Sequence, residues 1–219
     1  MNFDFKKELP LIGIVLTPLV YLYIIWESIP NRVPLHWNYD GVVDNWGEKY
    51  TLILMTSFMT VFFYLLMLFL PKIDPKKRLT IMGNKFYQLK FILLLFFSCL
   101  AIIIIYFSKN QEMPNPSLLY MPAAILFIAL GNYFKVIQPN YFIGIKTPWT
   151  LENKEVWKAT HLMAGKIWML GGFLILISCL IFSKEITKNT LITVTIINAI
   201  VPILFSYFKF KQIEKEARL

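Results

Sequence analysis

Residues 86–107 read FYQLKFILLLFFSCLAIIIIYF, an apolar stretch in which Lys90 is the single charged residue. About 20 predominantly apolar residues in an α-helix are enough to cross a hydrocarbon core that is roughly 30 Å thick. The stretch therefore predicts a membrane-spanning helix. A membrane protein is the first expectation for the whole chain.

Five further apolar stretches of this kind surround it. The six predicted spans are approximately Leu11–Ile29, Leu52–Leu70, Phe86–Phe107, Leu118–Ile137, Leu162–Phe182 and Leu191–Phe208. Only 16% of the 219 residues are charged, whereas a soluble domain usually carries about 25%. We therefore predict an all-α membrane protein with six transmembrane helices and little room for a soluble domain.

The lysines and arginines are distributed unevenly between alternate loops. One set of loops, together with both termini, carries Lys6, Lys7, Lys72, Lys76, Lys77, Arg78, Lys85, Lys135, Lys146, Lys154, Lys158, Lys209, Lys211, Lys215 and Arg218. The opposite side carries Arg32, Lys49, Lys109, Lys184 and Lys188. Cationic loops stay cytoplasmic, so we predict that both termini lie inside the cell.

The remaining cations and the net charge of +9 fit the same topology. Lys90 and Lys166 lie near the inner ends of their helices, and their ammonium groups are predicted to reach the membrane interface. The basic excess is explained by orientation and by attraction to anionic lipid. We therefore expect membrane lipids as partners and no direct binding of nucleic acid.

The loop at residues 30–50, between the first two helices, predicts a small extracellular β-hairpin. Asn38-Tyr39-Asp40-Gly41 is a turn sequence, because Asx residues initiate turns and glycine accepts positive φ. The β-branched and aromatic residues at 33–37 and 42–46 favour the two flanking strands. A lone hairpin is marginal in water, so we expect it to pack onto the helix ends.

The outer loop supplies a candidate surface for binding an apolar peptide. Its predicted contact residues are His36, Trp37, Asn38, Asp40, Asp44 and Trp46. On a helix the four-residue spacing of His36, Asp40, Asp44 and Glu48 would suggest a metal site, but nearby proline and glycine argue against that helix. A solvated polar rim with tryptophans anchored at the headgroups is the alternative interpretation.

A second detailed segment lies on the predicted inner side, where residues 140–150 read NYFIGIKTPWT. Thr147 or Thr150 is suited to capping a helix, and Pro148 suits its first turn. Further on, Trp157, His161, Gly165 and Trp168 share one helix face. The segment is interpreted either as an interfacial helix anchor or as a docking face for a cytosolic partner. Its candidate residues are Asn140, Gly144, Lys146, Thr147, Pro148, Trp149, Thr150, Trp157 and His161.

The sequence does not favour an enzyme. The two histidines, His36 and His161, fall on opposite sides of the membrane in the predicted topology, so they cannot share a metal. The chain contains no glycine-rich phosphate loop, no Gly-x-Ser-x-Gly and no His-Glu-x-x-His. We therefore predict no catalytic residue, no cofactor and no metal.

Together the two loops resemble the SdpI family of bacterial immunity proteins. The outer stretch 33–38, followed by Gly41, Asp44, Trp46, Gly47 and Lys49, resembles a domain of unknown function that often begins such proteins. The inner stretch, Asn140 with 143–150 and then Val156-Trp157, resembles the C-terminal signature of the family. Lys146 stands where the family typically has arginine, which keeps the charge but loses the planar fork for bidentate contacts.

The resemblance implies a location in the bacterial inner membrane, a division of the chain and a function. An N-terminal domain would cover 1–70, with two helices and the outer loop 30–50, and a C-terminal region would cover 71–219, with four helices and the inner motif 140–161. SdpI-like proteins protect a bacterium from a secreted membrane-active peptide toxin, and the founding example also holds a cytosolic repressor at the membrane. A small peptide or lipid transporter, or a membrane signalling protein without a toxin ligand, remain as alternatives.

Overall fold

The computed structural model describes residues 4–38, 40–113 and 115–217. Within them eight helices and one two-stranded sheet follow in the order α1 (Phe5–Ile25), β1 (Arg32–Trp37), β2 (Val43–Glu48), α2 (Tyr50–Ile73), α3 (Arg78–Met82), α4 (Asn84–Asn110), α5 (Ser117–Phe134), α6 (Pro148–Glu152), α7 (Lys154–Ile181) and α8 (Lys184–Glu216). A short 3-10 turn, Trp26–Ser28, extends α1. Tyr39 of the predicted turn and Arg218 of the predicted basic tail lie outside the described residues.

Six of these helices are long and apolar enough to cross a membrane, namely α1 with its extension, α2, α4, α5, α7 and α8. The predicted number of spans is confirmed. Helices α7 and α8 are longer than their predicted apolar stretches, because polar residues extend the helix beyond the apolar part. Asn153 caps the start of α7, and the end of α8 carries a Lys211–Glu214 pair at 3.1 Å.

The outward faces of the long helices are strongly apolar. Ile24 and Leu54 are each 72% exposed, and Leu180 is 69% exposed. A water-soluble protein scatters such residues singly and does not expose large contiguous apolar patches. The surface of the bundle is therefore suited to contact with lipid hydrocarbon.

Helices α5 and α7 pack with their backbones in close contact. A Cβ atom added to Gly165 would stand 2.6 Å from the carbonyl oxygen of Gly131, and one added to Gly172 would stand 2.7 Å from that of Ala124. Real side chains never approach that closely, so only glycine fits at these crossing points. Small residues that allow close approach are typical of helix packing inside membranes.

Helices α1 and α4 are joined by polar contacts between buried residues. Both carboxylate oxygens of Glu8 lie 2.7 Å from Nζ of Lys90, and the two residues are 4% and 2% exposed. Further along α4, Oγ of Ser98 donates to the carbonyl oxygen of Ile14 in α1 at 2.9 Å. The prediction that Lys90 reaches the interface was wrong, because its ammonium group finds a buried carboxylate on the first helix.

Two ends of the bundle can be distinguished by their contacts with α4. Near its start, the backbone oxygen of Lys85 accepts from the hydroxyl of Tyr133 at 2.7 Å. Near its end, Oγ of Ser108 donates to the carbonyl oxygen of Pro34 in β1 at 2.9 Å. At 1.5 Å per residue these two points lie roughly 35 Å apart. We call them the signature end (α3, residues 138–147 and α6) and the hairpin end (β1, β2 and the last turn of α4).

Candidate functional site

The loop between the first two spanning helices forms the antiparallel hairpin that its turn sequence predicts. Oδ1 of Asn38 accepts from the backbone N–H groups of Asp40 and Val42 at 2.9 and 3.0 Å, and the N–H of Gly41 donates to the backbone oxygen of Asn38 at 3.0 Å. Gly41 has a φ of +81°, a left-handed conformation that glycine adopts without steric cost. Asn38 is therefore the residue that shapes the turn.

The hairpin presents a mixed polar and aromatic face at the surface. Nδ1 of His36 lies 2.5 Å from Oδ1 of Asp44 across the two strands, and their side chains are 65% and 46% exposed. Trp46 is 40% exposed, and Asn38 and Asp40 are exposed as well. Five of the six predicted contact residues are thus available to a ligand at this end of the bundle.

Trp37, the sixth, turns toward the helices. It is half-buried, and its ring meets that of Phe107 near the end of α4 edge to face, with the centroids 6.3 Å apart. Its Nε1 is buried and has no hydrogen-bond partner among the described residues. Trp37 therefore anchors the hairpin and leaves the contact face to the other five residues.

The hairpin is fixed to the bundle, as expected for a sheet of only two strands. Val33 is fully buried in a cluster with Leu22 of α1 and Leu52 of α2. Polar contacts add to this, because Nε2 of Gln111 donates to the carbonyl oxygen of Arg32 at 2.9 Å and Nζ of Lys184 donates to that of Asp40 at 3.3 Å. The prediction that the hairpin packs onto the helix ends is confirmed.

Ser108, Gln111 and Lys184 support the hairpin, and no local sequence pattern predicts this role for them. Each bonds a backbone oxygen that lies at least 74 positions away in the chain. A local pattern carries no signal for such a contact. From the sequence, the one indication of this role is that the three polar residues lie at or next to a helix end: Ser108 and Gln111 at the end of α4, and Lys184 at the start of α8.

At the other end, Asn140 organises the loop that precedes α6. Its Oδ1 accepts from the backbone N–H groups of Phe142 and Ile143 at 2.8 and 2.7 Å. Its Nδ2 donates to the carbonyl oxygens of Gln138 and Ile143 at 2.9 and 3.0 Å. Because Asn140 is 3% exposed and all four bonds are made within the loop, its role is to hold the loop's shape.

His161 connects that loop to α7. Its Nε2 accepts from the backbone N–H of Ile145 at 3.0 Å, so the ring proton sits on Nδ1, which donates to the carbonyl oxygen of Trp157 at 2.8 Å. The imidazole stacks on the indole of Trp157 with the centroids 4.2 Å apart. That indole donates from Nε1 to the carbonyl oxygen of Ile137 at 3.0 Å. Trp157 and His161 are each 1% exposed, so they hold the loop from inside.

The short helix α6 begins with the cap that its sequence predicts. Oγ1 of Thr147 accepts from the N–H of Thr150, and the N–H of Thr147 donates to Oγ1 of Thr150 at 2.9 Å. Oγ1 of Thr147 also lies 3.0 Å from Oγ of Ser206, and the ring of Trp149 meets that of Tyr207 at 5.1 Å. Helix α6 is thereby joined to α8, the last helix of the bundle.

Two further candidates of this segment, Lys146 and Pro148, lie at the surface. Nζ of Lys146 donates to the carbonyl oxygens of Tyr141 and Phe142 at 3.1 and 3.3 Å. Those single-point contacts to backbone oxygens are ones that an ammonium group can make without arginine's planar fork. Within residues 4–38, 40–113 and 115–217, no three His, Cys, Asp or Glu side chains are grouped to hold a metal ion.

Comparisons with known proteins agree with the two motifs. Residues 136–206 match the SdpI/YfhL protein family, and residues 13–61 match a domain of unknown function, DUF1648. Immunity protein SdpI of Bacillus subtilis (strain 168) is 23% identical over 209 residues, which cover 95% of this chain and 98% of that protein. No solved structure matches the chain. These matches confirm the resemblance that was predicted from the two loops.

Proposed function

We propose that this protein protects a bacterium from a secreted, membrane-active peptide toxin. The observation that carries the proposal is the similarity along nearly the whole chain to a protein named as an immunity protein. The SdpI/YfhL region supports the same class of function. The role requires binding and membrane residence and no chemistry, which suits a bundle of six apolar helices.

The proposal includes an orientation. Among the described residues, fourteen lysines and arginines lie in the termini and loops of the signature end, against five toward the hairpin end. Because cationic loops are retained in the cytoplasm, both termini face the cytoplasm of the cell and the hairpin faces outward. The hairpin is then the part of the chain that a secreted peptide meets first.

Toxin contact is assigned to the exposed face of the hairpin. Trp46 offers an aromatic surface for an apolar peptide, and His36, Asp40 and Asp44 offer polar atoms that fix its orientation. Aromatic residues supply much of the contact energy in protein interfaces. The anchoring of Val33 and Trp37 supports this role, since a face that is already ordered loses little entropy when a ligand binds.

The signature segment (residues 140–161) is assigned to holding α5, α7 and α8 in place. The burial of Asn140, Thr147, Thr150, Trp157 and His161 supports this assignment over direct docking of those residues. A relay to a cytosolic repressor would have to use the exposed part, Lys146, Pro148 and Leu151. In this account residues 1–70 bind the toxin, and residues 71–219 either relay toxin binding to a cytosolic partner or stabilise the helix bundle.

Survival of cells tests the proposal directly. The full chain is expressed in a toxin-sensitive strain that is exposed to peptides encoded beside its gene and to the toxin of the Bacillus relative. We expect survival at toxin concentrations that kill cells with an empty vector. Equal killing at confirmed membrane expression would count against immunity. Uptake or release of labelled toxin by vesicles containing the purified protein would indicate transport, because sequestration moves nothing across the membrane.

A further inference from the structure

A long apolar groove lies between α4 and α5 and opens onto the surface of the bundle. It has a volume of about 640 Å³, and its walls include Phe91, Leu95, Cys99, Ile125 and Ala129. Several of the side chains that line the groove are exposed, and Leu95 is 42% and Ile125 56% exposed. The groove follows α4 from Phe91 to Phe107, a length of roughly 24 Å along the helix.

Toward the signature end, two smaller and more polar cavities adjoin the apolar groove one after the other. A cavity of about 330 Å³ shares Phe91, Ile92 and Ala129 with the apolar groove and adds Gln88, Asn132 and Lys135. A further cavity of about 320 Å³ shares Lys135 and Val136 and adds Lys85, Lys154 and Lys158. One continuous surface therefore passes from purely apolar to strongly cationic.

The cationic end has no internal counter-charge. Lys85, Lys135, Lys154 and Lys158 line it, and no aspartate or glutamate is among the residues that line the two polar cavities. Across the part of the chain that the structure describes, none of these four lysines forms an ion pair. Lys85, Lys154 and Lys158 lie within the first five residues of a helix that is long enough to span a membrane, and Lys135 directly follows another such helix. Long basic side chains near the ends of spanning helices reach the membrane interface.

We propose that this groove is a binding site for an anionic phospholipid. The acyl chains would lie between α4 and α5, and the phosphate would lie among the four lysines. Basic pockets between membrane helices are known to bind anionic headgroups. A second copy of this chain, related by an axis along the membrane normal, would bring the same lysines together. The charge pattern therefore favours a lipid over a dimer contact.

Lipid-dependent stability of the purified full-length protein in detergent tests the proposal. Phosphatidylglycerol and phosphatidylcholine with identical chains are compared by the shift in unfolding temperature, and retained lipid is counted by native mass spectrometry. The test variant replaces the four groove lysines by glutamine (K85Q, K135Q, K154Q, K158Q). The control variant removes the same charge elsewhere on the signature end (K6Q, K77Q, K209Q, K215Q). A third variant, Ala129→Phe, fills the apolar part.

We expect phosphatidylglycerol to stabilise the wild type and the control equally, and phosphatidylcholine to do so less. The test variant should bind phosphatidylglycerol about tenfold more weakly or worse, because each lost cation weakens attraction to an anionic headgroup. Ala129→Phe should lose binding of both lipids. If the fourfold variant aggregates, the single variants Lys135→Gln and Lys158→Gln are each compared with the wild type for the same two lipids.

Four results would overturn the proposal. Equal responses of the test and control variants would show attraction to the general surface charge. Equal responses of the wild type to the two lipids would show that the headgroup charge is not recognised. Stabilisation by soluble glycerol phosphate as strong as by the lipid would show a simple anion site. A lipid-free dimer that Ala129→Phe dissociates would show that a second copy occupies the groove.

Discussion

Gly144 lies directly against the imidazole of His161. A Cβ atom added to Gly144 would stand 2.5 Å from Nε2 of His161 and 3.3 Å from the ring of Trp157. Gly144 also has a φ of +108°, which side-chain-bearing residues rarely adopt. The bond from Ile145 to His161 therefore depends on a position where only glycine fits.

Replacing Gly144 by alanine should destabilise the signature end. The added methyl group must displace a buried ring, and the backbone is strained as well, a change we expect to cost about 1–3 kcal/mol. Thermal unfolding in detergent measures the effect. Gly13→Ala is the matched control, because nothing lies within 4 Å of its added Cβ. An unfolding temperature of Gly144→Ala equal to that of the control would contradict the close contact.

Replacing Thr150 by valine should also destabilise the protein. The hydroxyl donates to the carbonyl oxygen of Ile145 at 2.8 Å and accepts from the N–H of Thr147 at 2.9 Å, and a buried N–H left without a partner costs about 1–3 kcal/mol. Thr190→Val removes an exposed hydroxyl bonded to Ile186 and should change stability by less than about 0.5 kcal/mol. Equal unfolding temperatures for the two variants would argue against the capping network.

The buried Glu8–Lys90 pair predicts non-additive mutations. Glu8→Gln leaves a buried ammonium group without its counter-ion and should cost about 3–5 kcal/mol, whereas replacing both residues by methionine should recover most of that loss. Lys211→Met breaks an exposed pair and should have almost no effect. Unfolding of all four proteins in detergent gives the comparison. A double variant less stable than Glu8→Gln would be inconsistent with the pair.

The proposed orientation predicts which cysteines an impermeant reagent can reach. In a background where Cys99 and Cys179 are replaced by serine, Asp40→Cys should react with a membrane-impermeant maleimide in intact cells. Glu152→Cys should react only after lysis, because it lies at the cationic signature end. Labelling is read on the purified protein. The reverse pattern would show that the hairpin faces the cytoplasm.

The sequence was sufficient for the features that depend on local pattern. Apolar length predicted the six spans, and Asn38 with Gly41 predicted the hairpin turn, since both signals lie within a few consecutive residues. Thr147 and Pro148 likewise marked the start of α6. The break between α6 and α7 was missed, although Asn153 is a good capping residue whose side chain accepts from the N–H groups of Glu155 and Val156.

Contacts between distant segments could not be predicted in the same way. The position of Lys90 near the end of its helix predicts an ammonium group at the interface, whereas its partner Glu8 lies 82 positions away in the chain. His161 was treated as a docking candidate, whereas the loop at Ile145 folds back over it. In both cases the partner is determined by how helices pack, which single-segment patterns do not encode.

Toxin survival with matched hairpin variants tests the central claim most directly. Cells carry the wild type, a hairpin variant (His36→Ala with Trp46→Ala) or a control, Tyr23→Ala, which removes an aromatic ring that is 82% exposed on α1. All are compared at equal membrane levels. We expect the wild type and the control to protect, and the hairpin variant to lose protection by at least roughly tenfold in toxin concentration, equivalent to about 1.4 kcal/mol of binding. Protection by the hairpin variant equal to that of the wild type would contradict the account.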